Sequence, residues 1–344
     1  MADCVMYLER LYPDTSVERA ILDPDIELLV RDVDTLDELD PSECGRVDGL
    51  MVFRHHITAD DLDRFPKLRV LVRMGVGFDR VDLVAAAERG IVVSNVPDYG
   101  TTEIADHTMA MVLALRRGIL LHHEAQRRDP PAPWTYIETP LVERSSSQTF
   151  GIVGLGRIGT AVALRAKAFG FRVVFYDPYL ANGVDLALGV ERARTLPELL
   201  SVSDVLSLNC LLYDETRGMI GAAELAQLPR NAVVVNTARG GLLDIDALHA
   251  KLRDGHLAGA GLDVLAVDPP GDTVPELLRA YRQREPWLEG RVVFSPHVAY
   301  YSEKAQHDTR VKSVETMQAA LSGRPQNVVV GPGAVTMGLD SRLR

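Results

Sequence analysis

Thr149–Pro178 reads TFGIVGLGRIGTAVALRAKAFGFRVVFYDP, and the order of residue types in it decides the fold. An apolar run, Phe150–Val153, leads into Gly154-Leu155-Gly156-Arg157-Ile158-Gly159, and an alanine-rich helical pattern follows up to Gly170. A second apolar run then ends at Asp177. This order predicts a strand, a tight glycine turn, a helix, a second strand and an acid. Glycines at such a turn let backbone N–H groups approach a pyrophosphate at a helix N-terminus, where the dipole favours an anion. Asp177 follows Gly159 by 18 positions, close to the ~20 expected for a carboxylate that takes the adenosine ribose hydroxyls. An acid there repels a 2′-phosphate, which favours NAD(H) over NADP(H). Arg157, inside the loop, can add positive charge at the pyrophosphate.

A length of 344 residues predicts two domains. With 47% hydrophobic and 25% charged residues, the composition is that of a globular chain and not a disordered one. A net charge of −11 argues against nucleic acid or an anionic membrane as the main partner, while leaving a small anionic substrate open to local arginines. Cys4, Cys44 and Cys210 lie far apart without metal-ligand spacing, so reduced thiols in a cytoplasm, and no metal, are expected. Without a charged-then-apolar opening or an apolar run of spanning length in the sequence, neither secretion nor membrane spanning is expected.

Around the dinucleotide motif, short apolar runs alternate with helical patterns, the signature of parallel sheets covered by helices. Val5–Leu8, Ile26–Val30, Gly49–Phe53, Val70–Arg73 and Ile91–Ser94 read as strands of a first domain. Residues 101–127 read as one long helix capped by Thr101 or Thr102, with Ile104, Met111, Leu115 and Leu120 spaced for burial. His107, His122 and His123 on it lack a metal-ligand pattern and read as packing residues. In the proline-rich stretch after it, Trp134 and Tyr136 are expected to face a partner surface such as a second subunit. Asp204–Asn209, Ala232–Thr237, Ala258–Val264 and Arg291–Ser295 read as further strands of the nucleotide domain. Residues 303–323 form a helix expected to cross back to the first domain, followed by the apolar run Val328–Val330. The expected architecture is α/β: two doubly wound parallel-sheet domains. A Rossmann domain (101–302) is inserted in a flavodoxin-like substrate domain (1–100 and 303–344).

Ligands of open α/β sheets bind at the C-terminal ends of strands, and Arg239, Asp263 and His297 all stand there. Hydride transfer to a ketone needs a proton donor for the nascent alkoxide, a cation on the carbonyl and an anchor for the rest of the substrate. His297 suits the first role because imidazole titrates near neutrality. Arg239 suits the second, being always charged and bidentate. A carboxylate beside His297 favours its protonated form, and Asp268 is the candidate. In the first domain, Arg73-Met74-Gly75-Val76-Gly77 follows a strand and offers backbone N–H groups and a guanidinium to a carboxylate. Arg54-His55-His56, also at a strand end, is either a reader of a second anionic group or a solvated loop.

Taken together, GLGRIG…YDP, NTARGG, GLDV and SPH resemble the D-isomer-specific 2-hydroxyacid dehydrogenases across nearly the whole chain. RMGVGFD, AVALRAKAFGF, FYDPYL and PHVAYYSE are similar to the branch of C-terminal binding proteins, the NAD(H)-binding corepressors, and their bacterial relatives. The resemblance implies a substrate-binding and polarising role for Arg239, an acid/base role for His297 and a nicotinamide carboxamide contact for Asp263. It places the substrate carboxylate on the loop Gly75, Val76 and Gly77, with Arg73 reaching the ligand and Tyr300 standing where that branch carries an aromatic. Cys210, Thr237 and Ala238 fall on the cofactor side. The family's usual glutamate is here Asp268, before Pro269, one methylene shorter by about 1.5 Å where a hydrogen bond tolerates only tenths. Either its loop moves inward or the partner of His297 is weaker. The stretch Pro270–Gly290 reads as an insertion near the active-site mouth, a lid or an oligomer contact.

The expectation is therefore a cytoplasmic homodimer that reduces a 2-oxo acid to the D-2-hydroxy acid with NADH, its two domains closing over a cleft. Arg54, His55, His56 and Arg73, if near one site, suit a second anionic group and hence a dianionic substrate such as phosphonopyruvate or a dicarboxylate, whereas Tyr300 favours an apolar or thioether side chain. The alternative is an NAD(H)-sensing, corepressor-like binding protein.

Overall fold

The computed structural model describes residues 3–331. Their contacts separate into two compact units, one formed by the chain up to Tyr99 together with the chain from Ser302 onward, the other by Gly100–Tyr301.

The first unit opens with β1 (Cys4–Tyr7), β2 (Glu27–Val30), β3 (Gly49–Val52), β4 (Val70–Arg73) and β5 (Val92–Asn95). All residues of β1, β3 and β4 are buried, as expected of parallel strands with helices on both faces. The second unit adds β6 (Thr149–Val153), β7 (Arg172–Tyr176), β8 (Glu191–Arg192), β9 (Val205–Leu208), β10 (Ala232–Asn236), β11 (Leu257–Leu262) and β12 (Val292–Phe294). The chain then returns through the helix Glu303–Leu321 and β13 (Val328–Val330) to the first unit.

The first sheet runs β13-β5-β4-β3-β1-β2, parallel except for β13, which lies antiparallel on β5. Its parallel part has the flavodoxin-like order 2-1-3-4-5. The second sheet runs β12-β11-β10-β9-β6-β7-β8 and is parallel throughout. Counted from β6, this is the Rossmann order 3-2-1-4-5-6 with one further strand, and its switch point lies between β6 and β9. The fold is thus α/β with two doubly wound sheets. The last part of the expected first domain, 332–344, lies outside the described residues.

The stretch 101–127 is not one helix. It breaks into Thr101–Arg116 and Ile119–Arg127 at Gly118, which takes the left-handed φ of 61°. Neither threonine caps the first helix: Gly100 is its N-cap, and the Thr102 hydroxyl turns to Glu103 instead. The first helix buries Ile104, Thr108, Met111, Val112 and Leu115. Glycine in β11 permits this close packing, since a Cβ at Gly261 would stand 3.1 Å from the Met111 side chain. Leu120, beyond the break, is only half-buried.

Arg116 ends that helix 1% exposed, donating to the carbonyls of Asn231 and Asp204, which precede β10 and β9. Burial pushes its guanidinium down to about 10, still charged at neutral pH. In the first unit Arg310 forks onto the buried Glu18 carboxylate at 2.8 and 2.6 Å and stacks on Tyr12. That pair ties the helix Glu303–Leu321 to the helix Ser16–Ile21.

Pro270–Gly290 is anchored through its middle. Its helix, Glu276–Arg282, buries Leu277, Leu278 and Ala280, and Leu277, Ala280 and Leu288 belong to the apolar core of the second unit. A segment anchored by that much apolar surface is part of the domain wall.

Candidate active site

The glycine turn is built by three different constraints. Gly154 takes a φ of +87°, and a Cβ there would come within 2.8 Å of the Cys210 backbone. A Cβ on Gly159 would meet the carbonyl oxygen of Gly154 at 2.1 Å, so the helix Arg157–Ala168 can lie on its strand only without one. Gly156 is exposed and a Cβ on it would meet nothing within 4 Å. Gly156 is also the N-cap of the helix and offers its N–H groups no side-chain acceptor. Open space over uncapped N–H groups fits a pyrophosphate. Arg157 is exposed beside it and Ile158 half-buried. Asp177, beyond β7, accepts from Leu155 N and Tyr179 N at 3.0 Å each. A carboxylate has about four acceptor positions, so both oxygens keep capacity for ribose hydroxyls. Cys210 is a free thiol, pushed up to about 12 by burial, and packs on Met219. It is a wall of the turn and not a nucleophile.

At the other strand ends of this unit, His297 Nδ1 is hydrogen-bonded to Asp268 Oδ2. The shorter acid therefore reaches the imidazole. A carboxylate only accepts, so Nδ1 carries a proton and Nε2 is left as the nitrogen that can exchange one. His297 has a φ of 55°, a region in which histidine is among the few tolerated residues, and its N–H donates to Asp263 O at 2.7 Å. The Tyr300 ring meets its imidazole edge-on at 6.3 Å.

Asp263 is 2% exposed and holds this loop in place. Its Oδ1 accepts from the Ser295 hydroxyl at 2.5 Å and Val298 N at 2.9 Å, and its Oδ2 accepts from Ala299 N at 3.0 Å. Because the Ser295 proton goes to Asp263, His107 Nε2 must donate to Ser295 Oγ, 2.9 Å away.

Arg239 is extended at the end of β10, half-buried, with Nη1 donating to Ala238 O. Asn236, 1% exposed, braces that turn by donating to Arg239 O and accepting from Ala238 N. A Cβ on the next residue, Gly240, would lie 1.9 Å from the Leu265 carbonyl carbon, so backbone fills that space. The Thr237 hydroxyl bonds that of Thr108, which already donates to Ile104 O; Thr237 is therefore the donor.

In the first unit, the guanidinium carbons of Arg54 and Arg73 lie 5.7 and 5.5 Å from the centre of one ring, Phe53. Arg73 is 9% exposed and folds over Gly75, where a Cβ would stand 1.5 Å from its Nη1. Asn95 braces the same loop by donating to Val76 O at 2.7 Å, and Val96 N donates to Gly75 O. Gly77 is buried beside it. Of the other basic residues in the Arg54-His55-His56 run, His56 is exposed, and partial desolvation together with nearby Arg80 lowers its pKa. His55 turns inward, Nδ1 to Glu9 at 2.8 Å and Nε2 to Val33 O at 3.0 Å, so it is not a substrate-facing cation.

His55 yields a direct pH prediction. Its pKa is raised by the Glu9 hydrogen bond against the effect of burial. The contact is thus fully present below the ~6.5 of a free histidine and is lost as pH rises through the higher folded value. NMR titration of the His55 ring carbons should give a midpoint above ~6.5, and a midpoint at or below that value contradicts the assignment.

The model of the NAD binding domain of the D-isomer specific 2-hydroxyacid dehydrogenases matches residues 109–299, more than half of the chain. The chain belongs to that family. Near it stands C-terminal-binding protein 1 of Caenorhabditis elegans, 35% identical over 325 residues, 92% of this chain and 43% of that protein. D-3-phosphoglycerate dehydrogenase of Methanocaldococcus jannaschii is 35% identical over 277 residues, 80% of this chain and 50% of that protein. The chain thus spans about half the length of the curated relatives it matches. A solved D-lactate dehydrogenase from Aquifex aeolicus, complexed with NAD and lactic acid, superimposes with a TM-score of 0.81 at 27% identity, covering 96% of this chain and 100% of that one.

For a 2-hydroxyacid dehydrogenase fold, three supporting residues escaped sequence reading, Asn236, Ser295 and Glu9, and a fourth, His107, was expected only to pack but bonds Ser295. Asn236 sits in NTARGG and Ser295 in SPH, so the motifs contained the signal. His107 and Glu9 act across more than forty positions of sequence and carry none of their own. Trp134 and Tyr136 are 92% and 75% exposed. Among the described residues, no cluster of His, Cys, Asp and Glu could hold a metal, and no helix is long and apolar enough to cross a membrane.

Proposed function

We propose that this chain reduces a 2-oxo acid to the D-2-hydroxy acid with NADH. The observation that carries the reading is the His297–Asp268 pair beside Asp263 at the strand ends of a dinucleotide fold. Bound NADH would supply the hydride. His297 delivers the proton from Nε2 to the forming alkoxide, while Asp268 at Nδ1 steadies the imidazolium before transfer. Arg239 holds and polarises the keto acid through its planar fork. Asp263 keeps the His297 loop rigid and closes that end of the nicotinamide site. Gly154, Gly156, Gly159 and the helix they open take the pyrophosphate, and Asp177 takes the ribose, selecting NADH over NADPH. Arg73 and the Gly75–Gly77 loop take the substrate carboxylate. Two guanidinium groups on one ring, Arg54 and Arg73, make a second anionic group the preferred feature of the substrate, with phosphonopyruvate as the model compound. We read the working protein as a cytoplasmic homodimer whose substrate-binding domain is 1–100 with 303–344 and whose NAD-binding domain is 101–302.

The test is oxidation of NADH, and in parallel of NADPH, against pyruvate, oxaloacetate, phosphonopyruvate, aryl pyruvates and 4-methylthio-2-oxobutyrate. One dianionic acid should reach a kcat/KM above ~10⁴ M⁻¹s⁻¹ with NADH and much less with NADPH. Equal use of NADPH sinks the role of Asp177. Identity of 35% with C-terminal-binding protein 1 favours a second reading, an NAD(H)-responsive binding protein. Tight NADH binding with only trickling turnover on every acid selects it.

A further inference from the structure

Glu9, just beyond β1, is 7% exposed and carries four hydrogen bonds. Oε2 accepts from Phe53 N at 2.9 Å. Oε1 accepts from Arg54 N at 2.5 Å, from His55 N at 2.9 Å and from His55 Nδ1 at 2.8 Å. Three consecutive backbone N–H groups converging on one carboxylate fold the chain after β3 into a concave turn, with the acid as its core. The second ring nitrogen of His55 faces the carbonyl of Val33. Both of its partners are pure acceptors, so both nitrogens donate and the ring is an imidazolium. Burial pushes the Glu9 carboxyl up, and the hydrogen bonds from His55 and the three N–H groups more than reverse it. The backbone of Val33 and Asp34 hydrogen-bonds His55, and Tyr7, held un-ionised by burial, senses the Glu9 charge. Nothing in the hydride chemistry uses Glu9. What it holds is the turn that carries Phe53, and on the Phe53 ring lie Arg54 and Arg73.

We propose that Glu9 is a positioning residue for substrate: by gathering the N–H groups of Phe53, Arg54 and His55 it sets the ring and the two guanidinium groups that receive a dianion. The assignment rests on Arg54 and Arg73 being the seat of the substrate's negative charge. Glutamine in its place keeps the size but turns one acceptor into a donor, which then faces an N–H group. Aspartate keeps the charge but cannot reach all three N–H groups.

The experiment is calorimetric titration of the NADH-loaded protein with oxalate, an unreactive planar dianion, for wild type, Glu9→Gln and Glu9→Asp, with NADH affinity and Tm measured alongside. Glu9→Gln should bind oxalate about tenfold to a hundredfold more weakly, the size expected of buried donors left unpaired, with NADH affinity unchanged. Glu9→Asp should fall between, and it carries the test if the glutamine variant does not fold. Unchanged oxalate affinity in a folded variant, equal losses of oxalate and NADH, or no oxalate binding by wild type overturns the proposal. Turnover on the 2-oxo acid panel is a separate reading. Wild type that binds oxalate through Glu9 yet reduces no acid refutes the reductase and leaves the positioning role standing.

Discussion

Replacing His297 with alanine should lower turnover by ~10²–10⁴-fold, the usual weight of a general acid, and leave NADH affinity unchanged. The imidazole hangs from a loop whose backbone is held independently of it. Asp263 accepts from Val298 N and Ala299 N, and its carbonyl takes His297 N, none of which needs the ring. Alanine does inherit a φ of 55°, so a modest fall in Tm accompanies the change. Single-turnover kinetics with fluorescence titration of NADH separate the two effects. A variant that retains wild-type turnover removes His297 as proton donor. Asp268→Asn is the informative companion, because an amide can accept the Nδ1 proton but cannot stabilise the charged ring. It should lose turnover by less than the alanine at 297.

The second large effect lies in the glycine turn, where two substitutions of equal size should behave differently. Gly159→Ala places a Cβ 2.1 Å from the backbone oxygen of Gly154. That atom is not the end of a flexible side chain, so strand and helix must separate. Overpacking of this kind costs about 1–3 kcal/mol, and Tm should drop together with NADH affinity. Gly156→Ala meets nothing within 4 Å, and its φ of −72° is open to any residue. Tm should fall only slightly, alanine being the poorer N-cap, while NADH binds about tenfold more weakly, roughly 1.4 kcal/mol, because the methyl group occupies the approach to the helix N-terminus. Differential scanning calorimetry with NADH titration reads both quantities. Undiminished NADH binding by Gly156→Ala places the pyrophosphate elsewhere.

Much of this protein is determined by local sequence. The order of strand, glycine turn, helix, strand and acid over Thr149–Asp177 specifies one kind of unit, and the positive φ of Gly154 and the contact of Gly159 with the Gly154 carbonyl are constraints local to it. Parallel strands buried on both faces write themselves as short apolar runs, so Val70–Arg73 and Ala232–Asn236 were legible one by one. Helix ends were less so. The break at Gly118 interrupts an apolar period that continues beyond it, and a single residue's left-handed φ leaves no periodic trace. The sequence of Pro270–Gly290 marks an insertion but not what its helix packs against.

Tertiary structure alone decided the roles of charged side chains. Arg54, His55 and His56 are three adjacent basic residues, and only folding sends one onto an aromatic ring, one into Glu9 and leaves one exposed near Arg80. Whether Asp268 could replace a longer acid was likewise a matter of loop path, and the path brings it to Nδ1 of His297. Hydrogen bonds discriminate at tenths of an ångström between residues tens of positions apart, whereas burial patterns repeat every two to four residues along the chain. The sequence by itself therefore determined the sheets and the dinucleotide turn, and the fold determined which acid serves which base.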